Sequence, residues 1–170
     1  TFTQADNQVQ GTDSETFIHH GLNQAGGVKP TVTYAISGAA GTLRITLCEF
    51  EGSSNTALDV VASGEGSSAT PTSGATATRA QDTELQIGVC GALTENNFIA
   101  GSGFTVRSTA GAKVSQESIL RTATGTEAAD WTITSDGWAA LTATYSDLVA
   151  GGAQMFLMTP ARLDGLGHGG

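Results

Sequence analysis

Charge is scarce in this chain, and positive charge scarcest of all. Seven Lys and Arg stand against sixteen Asp and Glu in 170 residues, a formal net charge of −9. A chain so balanced repels phosphate backbones and has no basic stripe for counterion release, so nucleic acid is not expected as a partner. No apolar run nears the roughly 18 residues of a membrane span, and membrane insertion is not expected either. The Lys, Glu and Leu that fill exposed helical faces are few, which excludes an all-helical bundle. What is present in quantity is Gly, at 23 positions, with Thr, Ser, Asn and Gln carrying the polar surface. That is the composition of a β protein with an uncharged polar exterior, long enough for one core.

Short runs bounded by Gly, Ser, Asn and Asp predict strands over Thr31 to Ser37, Thr42 to Phe50, Leu58 to Ser63, Ala75 to Arg79 and Glu84 to Cys90. Further strands are predicted over Phe104 to Ser108, Val114 to Thr122, Ala129 to Thr134, Trp138 to Tyr145 and Gln154 to Met158. Alternation with a period of two selects one face of several of them. Val32, Tyr34 and Ile36 share a face, as do Leu43, Ile45 and Leu47, and Leu85, Ile87 and Val89. With Ile133 and Leu141 these residues form the expected core. Many short strands joined by turn residues predict an all-β chain of two antiparallel sheets packed face to face.

The organisation expected along the chain has three parts. Residues 1–30 are polar, Asn/Gln-rich and Gly-punctuated, with one apolar cluster at Phe17 and Ile18, and read as an extended N-terminal arm. Residues 31–148 form the β-sandwich domain. Residues 149–170 are a C-terminal extension in which Met155, Phe156, Leu157, Met158 and Leu163 concentrate bulky apolar side chains. Phe17, Ile18 and these five residues are the expected assembly contacts.

The stretch ITLCEFEGSSNTALDVVASGEGSSATPTSGATATRAQDTELQIGVCG has an EF-x-G strand end, a short loop with a Leu-Asp pair and a Thr/Ser/Gly strand. A strand opened by Glu before alternating aliphatics follows. The pattern continues through FIAGSGFTVRS and VSQESILRTATGTEAADWTITSDGWAALTATY. Over about Thr31 to Tyr145 this resembles the jelly-roll β-sandwich module of bacteriophage virion proteins and of bacterial surface or secreted proteins. The resemblance implies a two-sheet antiparallel jelly roll, here with the arm and the extension added at its ends.

No pattern of catalysis stands out. His19 and His20 are adjacent and would point to opposite faces of a strand, and His168 lies in a Gly-rich tail, so no metal site is expected from them. No zinc-protease, calcium-loop, phosphate-loop or nucleophile-elbow motif occurs. Among the carboxylates Glu117 is the most suggestive, lying on a strand between Val114 and Ile119; an ion pair with Arg107 or Arg121 is the expected explanation. Trp131, Trp138 and Tyr145 could stack on sugar rings, but a chain with only six Phe, two Trp and two Tyr needs them for its core. Cys48 and Cys90 sit inside strands, either as a disulfide or as buried free thiols.

These features lead to the expectation of a structural, non-enzymatic virion protein without a cofactor. It would be a phage capsid decoration or surface protein that forms a homo-oligomer through its arm and tail and contacts other virion or surface proteins. The alternative is a secreted, extracellular carbohydrate-binding module with glycans as partners.

Overall fold

The computed structural model describes residues 3–10, 14–24, 33, 42–51, 58–146 and 154–163. Among them every regular element is a strand: β1 (Thr3–Gln10), β2 (Ser14–Gln24), β3 (Thr42–Glu51), β4 (Leu58–Ser68), β5 (Glu84–Ala92), β6 (Ile99–Ala100), β7 (Thr105–Ala110), β8 (Val114–Arg121), β9 (Trp131–Thr132), β10 (Asp136–Tyr145) and β11 (Gln154–Leu163). All the pairings are antiparallel. A four-stranded sheet has the order β1-β2-β11-β3, a five-stranded sheet β4-β10-β5-β8-β7, and β6 pairs with β9 alone. No helix among the described residues is long and apolar enough to cross a membrane.

The two larger sheets pack face to face. Ile18 of β2 enters a cluster with Leu85, Ile87 and Val89 of β5, Val114 of β8, and Leu141, Ala143 and Tyr145 of β10, while Ala5 and Phe50 close it from β1 and β3. The expected N-terminal arm is therefore corrected over its described part: β1 and β2 belong to the sandwich, and β2 is an inner strand. The expected extension is corrected likewise, since β11 inserts between β2 and β3, with Leu157 opposite both His20 and Cys48. The first segment escapes a hydrophobicity reading because the inward face of β2 alternates Thr16, Ile18 and His20, two polar residues around one aliphatic, all buried; in the second the strand expected over Gln154 to Met158 is present and runs on to Leu163.

A second cluster lies on the opposite face of the five-stranded sheet, so the single expected core is corrected to two. Cys90, Ala92, Phe98, Ala129, Trp131, Ile133, Trp138 and Ala140 form it, with Phe104 packed against it. Ile133 belongs here and not with Ile87. Strands β5 and β10 are consequently buried on both faces, which explains the near-continuous small and apolar runs GVCGA and GWAALTATY.

The cover over this second face is made of two irregular segments that run antiparallel. Ile133 N donates to Ala69 O (3.0 Å), Trp131 N to Pro71 O (3.0 Å), Ser73 N to Ala129 O (2.9 Å), Thr76 N to Glu127 O (2.8 Å) and Arg79 N to Gly125 O (3.0 Å). The first three keep antiparallel register at every second residue, but the reciprocal bonds that would complete a ladder are missing, Pro71 having no N–H to give, and the pairing is reduced to an isolated Thr72–Asp130 bridge. The strand expected over Ala75 to Arg79 is extended chain without strand pairing, and that expected over Ala129 to Thr134 shrinks to the two residues of β9. The cover approaches so closely that glycine is required beneath it. A Cβ at Gly88 would lie 2.6 Å from Ala129 Cβ and 3.0 Å from Trp131 Cη2, and one at Gly64 would lie 2.6 Å from Thr72 O.

Strand β3 corrects another expectation. Its alternation is as read, but the opposite face goes inward: Thr46 is buried and Arg44, Cys48 and Phe50 are half-buried, while Ile45 and Leu47 are 39% and 47% exposed. Strand β3 lies across from β7 and β8, and the contact to β8 is polar: Cys48 Sγ donates to Gln116 Oε1 at 3.3 Å. Of the strand expected over Thr31 to Ser37 only Thr33 is described, and it is exposed; Val32, Tyr34 and Ile36 lie outside the described residues.

Candidate functional site

Two places concentrate features that the sandwich itself does not require. The first is the outer face of the four-stranded sheet. Leu43, Ile45 and Leu47 line up on the solvent side of β3, and β11 pairs Arg162, Pro160 and Met158 with them in that order. On the far side of β11, Met158 is opposite His19, and β2 continues with Phe17, whose ring meets that of His19 edge-on at 5.3 Å. Strand alternation thus puts Phe17 and His19 on the outer face of β2, although Phe17 is only 5% exposed.

The expected assembly contacts are divided by this register. Met158 is opposite Leu47 and Phe156 opposite Glu49, positions shared with the outer face, whereas Met155 and Leu157 are opposite Phe50 and Cys48, positions shared with the inner one. Leu163 ends β11 opposite Thr42 and Ser14. Ile18 is fully buried in the inter-sheet core and drops out as an assembly contact.

The second place is a buried polar centre beneath the cover. Glu117 of β8 is fully buried and opposite Gly88, whose missing side chain leaves room for Glu117 Cγ and for the Trp131 ring. Glu117 Oε2 accepts from Gly101 N at 3.3 Å, whereas Oε1 and the nearby Trp131 Nε1 and Ser115 Oγ are buried without a hydrogen-bond partner in the structure. Loss of hydration pushes the Glu117 carboxyl up to about 8; Asp130 adds to the rise, and the Gly101 N–H and Arg121 oppose it. The ion pair expected for Glu117 goes elsewhere. Arg121 pairs with Glu127 at 3.1 Å and Arg107 Nε donates to Ser118 Oγ at 2.6 Å.

Around this centre the remaining polar groups act as fasteners. Arg79, closed off from solvent, meets Glu127 at 3.1 Å and donates to the carbonyls of Ala123, Gln81 and Asp82. Arg121 Nε donates to Gln86 Oε1 at 2.7 Å, and Gln86 Nε2 donates to Thr142 Oγ1 at 3.0 Å. Asp136 Oδ2 accepts from Thr94 N, Thr94 Oγ1 and Asn96 Nδ2 at 2.8 to 2.9 Å. Burial raises the Glu84 carboxyl, with the Asp59 carboxyl beside it adding to the rise and Thr144 and the Gln81 N–H opposing it. The Arg79 contacts tie the cover segments to each other, the Arg121–Gln86–Thr142 chain links β8, β5 and β10, and Asp136 at the start of β10 holds the loop at Thr94 and Asn96.

The two cysteines are not bonded to each other: both are free thiols, Cys48 half-buried on β3 and Cys90 buried in the second cluster. They lie on different faces of the five-stranded sheet, and burial raises both thiols above their ordinary range. Trp131, Trp138 and Tyr145 are all buried and offer no ring face to a sugar. Among the described residues no group of three His, Cys, Asp or Glu is placed to hold a metal ion, and His168 lies outside them. The outward turn of β3 was missed in the sequence; of the polar centre Glu117 was singled out, but its surroundings were not, since only the strand register reveals that it faces Gly88. The chain matches no protein-family model, no curated protein and no solved structure.

Proposed function

We propose that this protein is a structural subunit that associates with copies of itself on a larger particle, as a virion surface or capsid decoration protein does. The observation that carries the reading is the row of Leu43, Ile45 and Leu47 on the solvent face of β3, in register with Pro160 and Met158 of β11. Val9, Ile99, Val106 and Leu120 are exposed as well, but they stand on separate strands, whereas Leu43, Ile45 and Leu47 are successive outward positions of one strand, the kind of surface that a neighbouring subunit covers. The role assigned to the chain ends changes accordingly: β2 and β11 build the face and do not reach out from it. We also read the sandwich as a variant of the jelly roll. In support, the two late strands β10 and β11 each enter the middle of a sheet, between β4 and β5 and between β2 and β3, as long returning connections do in Greek keys.

The test is sedimentation of the full chain and of the double variant Ile45→Glu, Leu47→Glu. An oligomer that becomes a folded monomer supports the reading. A monomeric wild type, or an oligomer indifferent to both charges, overturns it. Deleting residues 1–28 is no substitute, because it removes β1, β2 and the core residue Ile18.

A further inference from the structure

The segment 99–103, which holds β6 and the turn after it, is a small lid on the buried polar centre. It is pinned at one end by Asn96, which is tied to Asp136 and to Ala112 O, and at the other by Phe104, which lies under the Arg121 guanidinium at 5.2 Å. Between these pins β6 contributes two residues, paired as Ile99 with Thr132 and Ala100 with Trp131. Ile99 is exposed, and the underside is fastened through the Gly101 N–H to Glu117. A two-residue pairing with an outward apolar side chain holds a segment weakly.

We infer that Glu117 is a protonation-controlled latch: the lid is closed over the neutral carboxyl and opens when that carboxyl ionises. A neutral carboxyl fits the closed site. It accepts from Gly101, and the oxygen left without a partner then belongs to a neutral group, which costs far less to bury than an unpaired charge. A carboxylate does not fit. It needs several donors, and the closed site supplies it with one N–H at 3.3 Å.

The charged and titratable groups around it do not make up the difference. Arg121, on its own strand, is already held by Glu127 and Gln86. From the β9 side comes Asp130, which repels it, and from β5 the buried Cys90 thiol. Lifting segment 99–103 admits water to Glu117 Oε1 and Trp131 Nε1 together, at the cost of the short β6–β9 pairing and the Gly101 bond. The far side of β9 stays in place through the bonds of Trp131 and Ile133 to Pro71 and Ala69. The inference is independent of self-association.

The experiment is acrylamide quenching of tryptophan fluorescence on the full chain between pH 6 and 9.5, with far-ultraviolet circular dichroism recorded alongside. Trp131 roofs the site, and Trp138, in the same cluster, is held by its Nε1 on Ser68 Oγ at 3.0 Å. Quenching is expected to rise with a midpoint near pH 8 while the dichroism stays constant. In Glu117→Gln the rise disappears. In Asp130→Asn, a change at an exposed residue that keeps the protein testable if Glu117→Gln fails to fold, the midpoint moves to lower pH. A flat wild-type profile, a rise that survives in Glu117→Gln, an unmoved midpoint in Asp130→Asn, or loss of dichroism at the same midpoint each overturns the latch.

Discussion

Arg79 and Glu127 meet at 3.1 Å with the guanidinium closed off from solvent, and the contact joins two segments of chain that share no strand ladder. Glu127 also receives Arg121, so one carboxylate serves two cations. The arrangement substitutes for the regular pairing that the Gly-, Thr- and Pro-containing cover cannot form. Truncating the buried partner leaves Glu127 half-compensated and several carbonyls without donors. Arg79→Ala is expected to cost about 3 to 5 kcal/mol. Arg121→Ala, at a partly exposed position, is expected to cost less. Urea denaturation of the two variants beside the wild type checks the order; equal losses would mean that the two cations are interchangeable.

The outward turn of β3 makes two isoleucines of similar sequence context behave differently. Ile87 is fully buried between the large sheets, so Ile87→Ala should cost on the order of 2 to 4 kcal/mol through lost transfer energy and a cavity. Ile45 is 39% exposed, and Ile45→Ala should change monomer stability by less than about 1 kcal/mol. Thermal melts at a concentration where the chain is monomeric separate them. A loss at Ile45 as large as that at Ile87 would place β3 the other way round.

What the sequence discloses and what it hides follow from one physical fact, that a period of two says which residues share a face and not which way the face turns. For β5 the aliphatic face Leu85, Ile87, Val89 is the inward one, and its opposite face of Glu84, Gln86, Gly88 and Cys90 is buried too, under the cover. For β3 the aliphatic face is the outward one, because its partner surface on β8 is polar. The long strands of the five-stranded sheet and β3 were legible because turn residues bracket them, whereas the cover was not, since Ala75 to Arg79 and most of Ala129 to Thr134 carry strand-like residues without strand pairing. The membership of β1 and β2 was not, since their inward positions carry Thr, His and Ala. The Glu117 centre was half legible: a charged residue on an apolar strand was conspicuous, but its partner is the backbone of Gly101, sixteen residues earlier, which no side-chain pattern announces.

The cover's closeness gives a second, sharper test of the two-faced sheet. Gly88→Ala would set a methyl 2.6 Å from Ala129 Cβ and 3.0 Å from the Trp131 ring, and Gly64→Ala would set one 2.6 Å from the Thr72 carbonyl oxygen. Each should cost about 1 to 3 kcal/mol by overpacking, despite the better strand propensity of Ala. Gly88→Ala should also alter the near-ultraviolet dichroism of Trp131, whereas Gly64→Ala pushes on backbone and should leave that band nearly unchanged. Neutral stability in both variants would show that the cover stands farther off.

The acid limb of stability should report on His20. This imidazole is buried against Tyr145, the ring centroids 5.6 Å apart, with Nδ1 lacking a hydrogen-bond partner in the structure. Burial, and to a lesser degree the neighbouring His19, lowers its pKa below the ordinary value. The folded state therefore binds the proton less readily than the unfolded state does. Stability is fully present above the unfolded pKa of about 6.5 and falls as the pH drops through that value toward the lower folded one. Glu117, raised by burial, has the opposite slope over the same window, so the absolute curve mixes the two. The difference between wild type and His20→Phe isolates the imidazole. Measured by urea denaturation at pH 7.5 and 5.5, the wild type should lose ground to His20→Phe on acidification, and a difference that stays constant would mean that His20 is protonated without penalty inside the fold.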